Sequence, residues 1–292
     1  MISQKKIDEL VLISLITDAY CLGSHWVYDE NQLKQNDLDW NDLNSPLAIW
    51  HKGKEKGDFT HYGDHTLWLY EFLEDKQIFD EKEYAKYWQE RMSSYIGYID
   101  GSSRNTLENI QNNIFPCGSD SSDLSIIGRI TPLLKVSNSK DEFLQNVEKF
   151  VKVTHNSKKA IIASRFFAIV LLEVLDGNDI KTSLLKVQNL FDETIQSFVK
   201  QGIDSKNEDT FTSIRGFGPA CDISEGFCGV IHLLIKFDNL KDMLIENAKA
   251  GGDTSARAML CSIIFTANSS INNLPKSWFL INKKEILGEL SN

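Results

Sequence analysis

Residues 160–177, AIIASRFFAIVLLEVLDG, form a long segment that is apolar on almost every side. A helix of this kind is stable in water only when other elements cover all of its faces. Gly177 ends the segment, as glycine commonly follows the last turn of a helix. The segment therefore predicts a central buried helix in a protein built of packed helices.

Other apolar segments also have helical spacing. One face of a helix over 7–16 would carry Ile7, Leu10, Val11, Ser14 and Leu15. Thr66–Leu73 is predicted to form the first turns of another helix, with Asp64 near its cap. Further helices are predicted for SLLKVQNLFDETIQSFVKQG (183–202), FCGVIHLLIKF and ARAMLCSIIFTA. No period-two alternation lasts long enough to indicate a sheet, so the sequence predicts one compact all-α domain over residues 1–292.

Charge and composition limit the functions available to the chain. The formal net charge of −10 does not favour nucleic-acid binding, and no apolar run is long enough for a membrane span. Charged residues interrupt the apolar N-terminal segment, which argues against a secretion signal. The five cysteines lack close metal-type spacing and indicate buried thiols in a reducing compartment. We therefore expect a cytoplasmic protein; its oligomeric state stays open.

Three junctions place an aspartate near glycine beside a helical segment: ITDAYCLGSHWVYD (16–29), HYGDHT (61–66) and AGGDTSARA (250–258). Asp64 and Asp253 both stand where a helix is predicted to begin. Such residues commonly act as N-caps, which is the simpler interpretation. The alternative is that two helices start side by side and direct Asp64, His65 and Asp253 at one divalent metal, with Asp18 nearby.

These junctions, in their order, resemble the ADP-ribosylglycohydrolase family over nearly the whole chain, closest to its bacterial and crystallin-like branch, which includes the jellyfish J-crystallins. The matching pieces are DAYCLGSHWVYD, GDFTHYGDHTLWLYEFL, YIDGSSRNTLENI, SSDLSIIGRITPLL, THNSKKAIIASRFFA, EGFCGVIHLLIKF, LIENAKAGGDTSARAML and LPKSW. The resemblance implies an all-α fold that usually holds two magnesium ions. It also implies hydrolysis of an N- or O-glycosidic ADP-ribosyl bond, with an ADP-ribosylated or small-molecule substrate.

The chain departs from the family at the metal motifs. Where metal-dependent members have Thr-Asp-Asp-Thr, this sequence is aligned as Gly63, Asp64, His65 and Thr66. Where they have Gly-Gly-Asp-Thr-Asp, it continues from Asp253 through Thr254 to Ser255. Two carboxylates are poor compensation for two Mg²⁺ ions, and imidazole suits transition metals better. Paired magnesium is therefore not expected, whereas one divalent ion, magnesium or a transition metal, remains compatible with Asp64, His65 and Asp253.

The resemblance and the residue chemistry suggest further site residues. Asp64 and Asp253 are the predicted catalytic residues; Asp18, His65, Arg104 and His155 are predicted to contact substrate. For His155, the alternative is that Thr154 only caps a helix. Arg129 is open to a phosphate contact or a salt bridge, with the salt bridge favoured for it and for Arg104. His25 beside Trp26 is open to ring stacking on a ligand or to core packing, and His232 is predicted to be a core histidine.

Three functions agree with this sequence. The first is a glycosyl hydrolase acting on an ADP-ribosyl or related ribosyl bond through Asp64 and Asp253, and we favour it because both acids are retained. The second is a non-catalytic relative that binds ADP-ribose or a nucleotide. The third is a structural, crystallin-like protein. The missing family carboxylates are the feature that keeps the second and third interpretations open.

Overall fold

The computed structural model describes residues 2–283 and confirms the all-α prediction. Its α-helices are α1 (Gln4–Cys21), α2 (Glu30–Gln35), α3 (His61–Phe72), α4 (Glu81–Ser93), α5 (Gly101–Gln111), α6 (Lys140–Thr154), α7 (Lys158–Leu175), α8 (Ile180–Val187), α9 (Glu193–Asp204), α10 (Thr210–Phe217), α11 (Ile223–Lys236), α12 (Leu240–Ala250) and α13 (Thr254–Thr266). The described part contains isolated β-bridges but no strand. No helix within it is long and apolar enough to cross a membrane.

The centre of the molecule is the pair α1 and α13, which pack along each other. In α13 every residue except Phe265 is buried, and in α1 burial is continuous from Leu10 to Cys21. Apart from Asp18 and Arg257, these buried stretches carry uncharged side chains, so other helices can cover each face. As predicted, α7 is largely buried and is followed by Gly177, whose φ of 95° is a left-handed value that glycine adopts easily.

The prediction of one surface helix over 183–202 is wrong. The chain forms α8, a short 3₁₀ turn at Gln188–Leu190, and then α9. Asp192 precedes α9, and its carboxylate accepts a hydrogen bond from the Ile195 N–H at 3.2 Å. This hydrogen bond satisfies a backbone N–H in the first turn of α9 and marks the start of a second helix. The apolar periodicity continues across both helices, so it did not reveal this boundary.

The start of α3 also differs from the prediction. The helix begins at His61, five residues earlier than expected, and Thr60 is its N-cap, accepting from the Tyr62 N–H at 3.0 Å. Asp64 therefore lies one turn inside the helix. By contrast, Asp253 does cap α13, as its position before the helix predicted, and accepts from the Ala256 N–H at 3.1 Å.

Candidate active site

Asp18 joins the three junctions that the sequence singled out. Its carboxylate, in the last turn of α1, accepts hydrogen bonds from the Thr60 N–H at 2.8 Å and the Thr60 hydroxyl at 2.7 Å. It also accepts one from the hydroxyl of Ser255 in α13. Burial raises the pKa of Asp18, while these donors oppose that effect. Asp18 thus fastens the N-terminal ends of α3 and α13 together.

Tyr62 in the first turn of α3 faces two carboxylates. Its hydroxyl lies 3.2 Å from Oδ2 of Asp253 and 3.5 Å from Oδ2 of Asp123. One hydroxyl proton can be donated to only one of them at a time. Desolvation and the two nearby carboxylates raise the pKa of Tyr62 well above its ordinary value, so the phenol remains a donor.

Cys221 lies next to the same two carboxylates. One ligand atom each from Asp123, Cys221 and Asp253 fall within 4.8 Å of one another, and this is the one such metal-type group found within residues 2–283. Backbone hydrogen bonds fix the group: the Asp253 N–H donates to the Pro219 carbonyl at 2.8 Å, and the Leu124 N–H to the Cys221 carbonyl at 2.8 Å. The group therefore joins three segments that are distant in sequence.

The electrostatics of this group are unfavourable for two free anions. Burial and the neighbouring Asp123 raise the pKa of Asp253 to about 7, although Arg257 opposes the shift. Burial, followed by the two carboxylates, raises the pKa of the Cys221 thiol. Buried like charges are costly unless a proton or a cation compensates them. The site therefore favours the presence of one additional positive charge.

Arg257 holds the backbone around Asp253 in place. Its fully buried guanidinium donates to the Asn247 side chain at 2.8 Å, the Gly251 carbonyl at 2.6 Å and the Pro219 carbonyl at 3.2 Å. Gly251 and Pro219 belong to the two loops on either side of the site. One side chain thus links the loop before α13 to the loop before α11.

An aromatic and imidazole cluster adjoins the carboxylates. The ring of His25 stacks on Trp26 at 4.7 Å and lies 5.1 Å from that of His51, while His61 lies 5.3 Å from Trp26. His25 Nδ1 is 3.4 Å from Oδ1 of Asp253. Desolvation lowers the pKa values of His25 and His51, so both rings are neutral at pH 7. The Nε2 atoms of His25 and His51 lack hydrogen-bond partners within the described part of the chain, whereas Nε2 of His61 lies 3.3 Å from Oδ2 of Asp100.

Arg129 does not form the salt bridge that the sequence favoured. It is 2 % exposed, and its contacts are with His65 Nδ1 at 3.2 Å, the Ser125 hydroxyl and the face of Tyr62, 4.8 Å from the ring centre. No ion pair joins it to a carboxylate in residues 2–283, and its Nε has no partner there. The guanidinium therefore packs against the face of Tyr62 in the interior of the protein.

Asp64 has different neighbours from Asp253. Its Oδ2 accepts from Lys54 Nζ at 2.6 Å and the Tyr95 hydroxyl at 2.8 Å, and Lys283 Nζ lies 3.5 Å from Oδ1. These residues line a surface cleft of about 370 Å³. Among the described residues no hydrogen bond joins Asp64 to Asp253, and the metal-type group contains neither Asp64 nor His65. Their catalytic and metal-binding roles stay predictions.

The remaining predicted residues differ in their surroundings. Arg104 is exposed and donates to the Ile99 carbonyl. His155 is buried at the end of α6, with Nδ1 2.8 Å from the Thr154 hydroxyl; Thr154 ends that helix and is not the N-cap of α7, which is Ser157. His232 is a core histidine, as predicted, with both ring nitrogens close to hydroxyls at 2.8 and 3.1 Å.

The described residues do not suit a pair of magnesium ions. Mg²⁺ requires an octahedral shell of oxygen atoms. Asp18 already accepts three hydrogen bonds from protein donors, and among the described residues the first turn of α3 presents the Tyr62 hydroxyl to Asp253. A built Cβ at Gly63 would collide with Asp18 and lie 2.8 Å from Cβ of Phe59, so a threonine ligand has no room there. These residues therefore do not fit a paired-magnesium site.

Comparisons with known proteins identify the family of this all-α chain. Residues 4–289 match the family model described as ADP-ribosylglycohydrolase, and the chain belongs to that family. It is similar to crystallin J1A of Tripedalia cystophora, with 24% identity over 287 residues, covering 91% of this chain and 88% of the relative. Crystallin J1B of the same animal is 20% identical over 283 residues, with the same two coverages.

A solved structure shares the fold. The protein titled ADP-ribosylglycohydrolase-related protein complex superposes with a TM-score of 0.72 at 14% identity, covering 99% of this chain and 96% of that one. At this identity the likeness concerns the fold alone.

Sequence reasoning missed Tyr62, Asp123 and Cys221. Asp123 caps a 3₁₀ turn, where its carboxylate accepts from the Ser125 N–H at 2.8 Å. In the sequence it cannot be distinguished from an ordinary capping aspartate. Cys221 lies between α10 and α11, in a connection (218–222) whose approach to Asp253 depends on tertiary packing. For Tyr62 the available signal was Thr60, because threonine is a favoured N-cap. Thr60 as the cap would have placed Tyr62 in the first turn of α3.

Proposed function

We propose that this protein hydrolyses a glycosidic bond to an ADP-ribosyl or related ribosyl group at the Asp123–Asp253 pair. The observation that carries the proposal is the convergence of two buried carboxylates on the hydroxyl of Tyr62, at the N-terminal ends of α3 and α13. Glycoside hydrolysis passes through an oxocarbenium-like transition state, which is stabilised by carboxylates placed against the sugar ring. The pair supplies that chemistry without paired magnesium.

Each residue has a defined part in this proposal. Asp253, fixed as the cap of α13, is the electrostatic partner of the developing positive charge on the ribose. Asp123 is 9 % exposed and is the carboxylate nearer to solvent, so it is placed to hold a ribose hydroxyl or the attacking water. Tyr62 keeps the two carboxylates oriented by hydrogen bonding. Preorganised groups of this kind commonly contribute about a hundredfold or more in rate each.

A non-catalytic role is the second candidate, and one observation favours it. Tyr62 is fully buried and Asp253 is 1 % exposed, so protein side chains fill the space in front of the capping carboxylate. The relatives described as crystallins are consistent with a chain that keeps the fold without turnover. In this role the protein binds ADP-ribose or a nucleotide, or serves as a structural protein.

Incubation with ADP-ribosyl-arginine, ADP-ribosyl-serine and ADP-ribose derivatives separates these candidates. The proposed enzyme releases product, and Asp253→Asn and Asp123→Asn each reduce the rate by on the order of a hundredfold. Asp179→Asn is the matched control, because Asp179 caps the exposed start of α8 in the same way. Absence of turnover with a ligand-induced rise in melting temperature identifies a binding protein. Neither response to any substrate identifies a structural one.

A further inference from the structure

We propose that Asp123, Cys221 and Asp253 form a site for a single thiolate-binding divalent ion, of the zinc or cobalt type, in place of the paired magnesium of the family. The inference concerns the same site as the proposed function, but it does not depend on turnover. It begins from the three donor atoms, which lie within 4.8 Å of one another. Three protein donors with one open position are typical of zinc sites that also bind water or substrate.

The sulfur atom decides the class of metal. Magnesium takes oxygen ligands and is poorly served by a thiolate, whereas zinc and cobalt bind mixed sulfur and carboxylate sets readily. Asp123 and Asp253 alone would offer only oxygen atoms. Cys221 thus converts an oxygen site of reduced charge into one with a soft donor.

The charges of the group are consistent with a divalent ion. When a metal replaces the thiol proton, the three donors carry three negative charges in a largely buried place. Arg257 is the nearby cation, but its hydrogen bonds go to Asn247 and two backbone carbonyls and not to the carboxylates. A bound dication would compensate most of the remaining charge, since unpaired buried anions are strongly disfavoured.

The surroundings provide support and access. The Tyr62 hydroxyl, 3.2 Å from Oδ2 of Asp253, holds that carboxylate from outside the donor group. The neutral ring of His25, whose Nδ1 accepts from the Ser255 N–H, packs beside it with Nδ1 3.4 Å from Oδ1. Groups in such positions orient ligands and commonly change metal affinity tenfold to about a hundredfold. Cys221 is partly exposed, so an ion reaches the group without unfolding of the core.

Cobalt titration of the chelator-treated full-length protein tests the site. One equivalent of Co²⁺ should produce the ligand-to-metal absorption band of a cobalt–thiolate bond, and Zn²⁺ should abolish it by displacement. Cys221→Ser should remove the band and weaken Zn²⁺ binding, measured by calorimetry, by on the order of a hundredfold. Cys228→Ser, which alters a buried thiol of α11 outside the group, should leave both unchanged.

Three results would overturn the proposal. They are no cobalt–sulfur band in the wild-type protein, a band that survives Cys221→Ser, or tighter binding of Mg²⁺ than of Zn²⁺. Asp123→Asn provides a second arm, since it should weaken Zn²⁺ binding while the sulfur band persists at saturating Co²⁺. These measurements need no substrate, so they are independent of the proposed function. A protein that binds the metal but shows no turnover would refute the proposed function and support the metal site. An active enzyme without the cobalt–sulfur band would support the proposed function and refute the metal site.

Discussion

Lys54 Nζ lies 2.6 Å from Oδ2 of Asp64, which assigns this carboxylate to the surface cleft beside α3. Asp253 has no such cation within hydrogen-bonding distance among its described contacts and instead faces Tyr62 and Asp123. The two aspartates that the sequence paired are thus in different electrostatic environments. Their substitutions should have different effects.

We expect Asp64→Asn to reduce turnover far less than Asp253→Asn. The first change removes an ion pair at the edge of a cleft, whereas the second removes a carboxylate from the proposed reacting centre, at a cost on the order of a hundredfold. Steady-state rates on the best substrate of the panel measure this. Equal losses for both variants would restore the original pairing of Asp64 with Asp253.

Gly63→Ala should destabilise the protein by about 1–3 kcal/mol, because its Cβ has no room between Phe59 and the buried Asp18. Gly216→Ala is the matched control: it also lies in a helix, and a Cβ there meets no atom within 4 Å. That change should be neutral or stabilise by up to about 1 kcal/mol. Urea denaturation of both variants gives the comparison, and equal effects would show that the α1–α3 contact is looser than described.

Tyr62→Phe should lower the free energy of unfolding by about 1–3 kcal/mol, since two buried carboxylates lose a shared donor. Tyr84→Phe is the control, as Tyr84 is buried but its hydroxyl contacts no carboxylate within residues 2–283. Thermal unfolding at pH 7 distinguishes them. A Tyr62→Phe protein as stable as Tyr84→Phe would mean that the hydroxyl does little for the pair.

His155 should make folding sensitive to mild acid. Burial lowers its pKa from 6.5 to about 4, so below pH 6.5 the unfolded chain binds a proton that the folded protein does not. Stability is therefore complete above pH 6.5 and falls as the pH decreases towards 4, by about 2 kcal/mol at pH 5 from this residue. The difference in unfolding free energy between pH 7 and pH 5 should shrink by about that amount in His155→Gln. An unchanged difference would contradict the assigned burial effect.

The sequence was informative about helices and about Asp253, and less so about the remainder of the site. Apolar runs predicted α7 and α13 because burial on all sides leaves a local signature. Asp253 could be predicted as a helix cap because it immediately precedes the apolar segment of α13. Tyr62 and Cys221 could not be found in this way, since their importance arises from contacts between segments distant in sequence. The apolar pattern also misplaced the start of α3, because His61 and Tyr62 are buried by tertiary packing despite their polar groups.

Arg257 has a consequence for how a ligand enters. Its guanidinium donates hydrogen bonds to the carbonyls of Gly251 and Pro219, so one buried side chain of α13 holds both loops that flank Asp253. Either loop can move away only by breaking buried hydrogen bonds to a charge, each worth about 1.5–3 kcal/mol. Opening of the site by movement of either loop is therefore disfavoured. Ligand entry and exit should therefore depend on side-chain rotation near Asp123 and Cys221, while the backbone around the opening stays fixed.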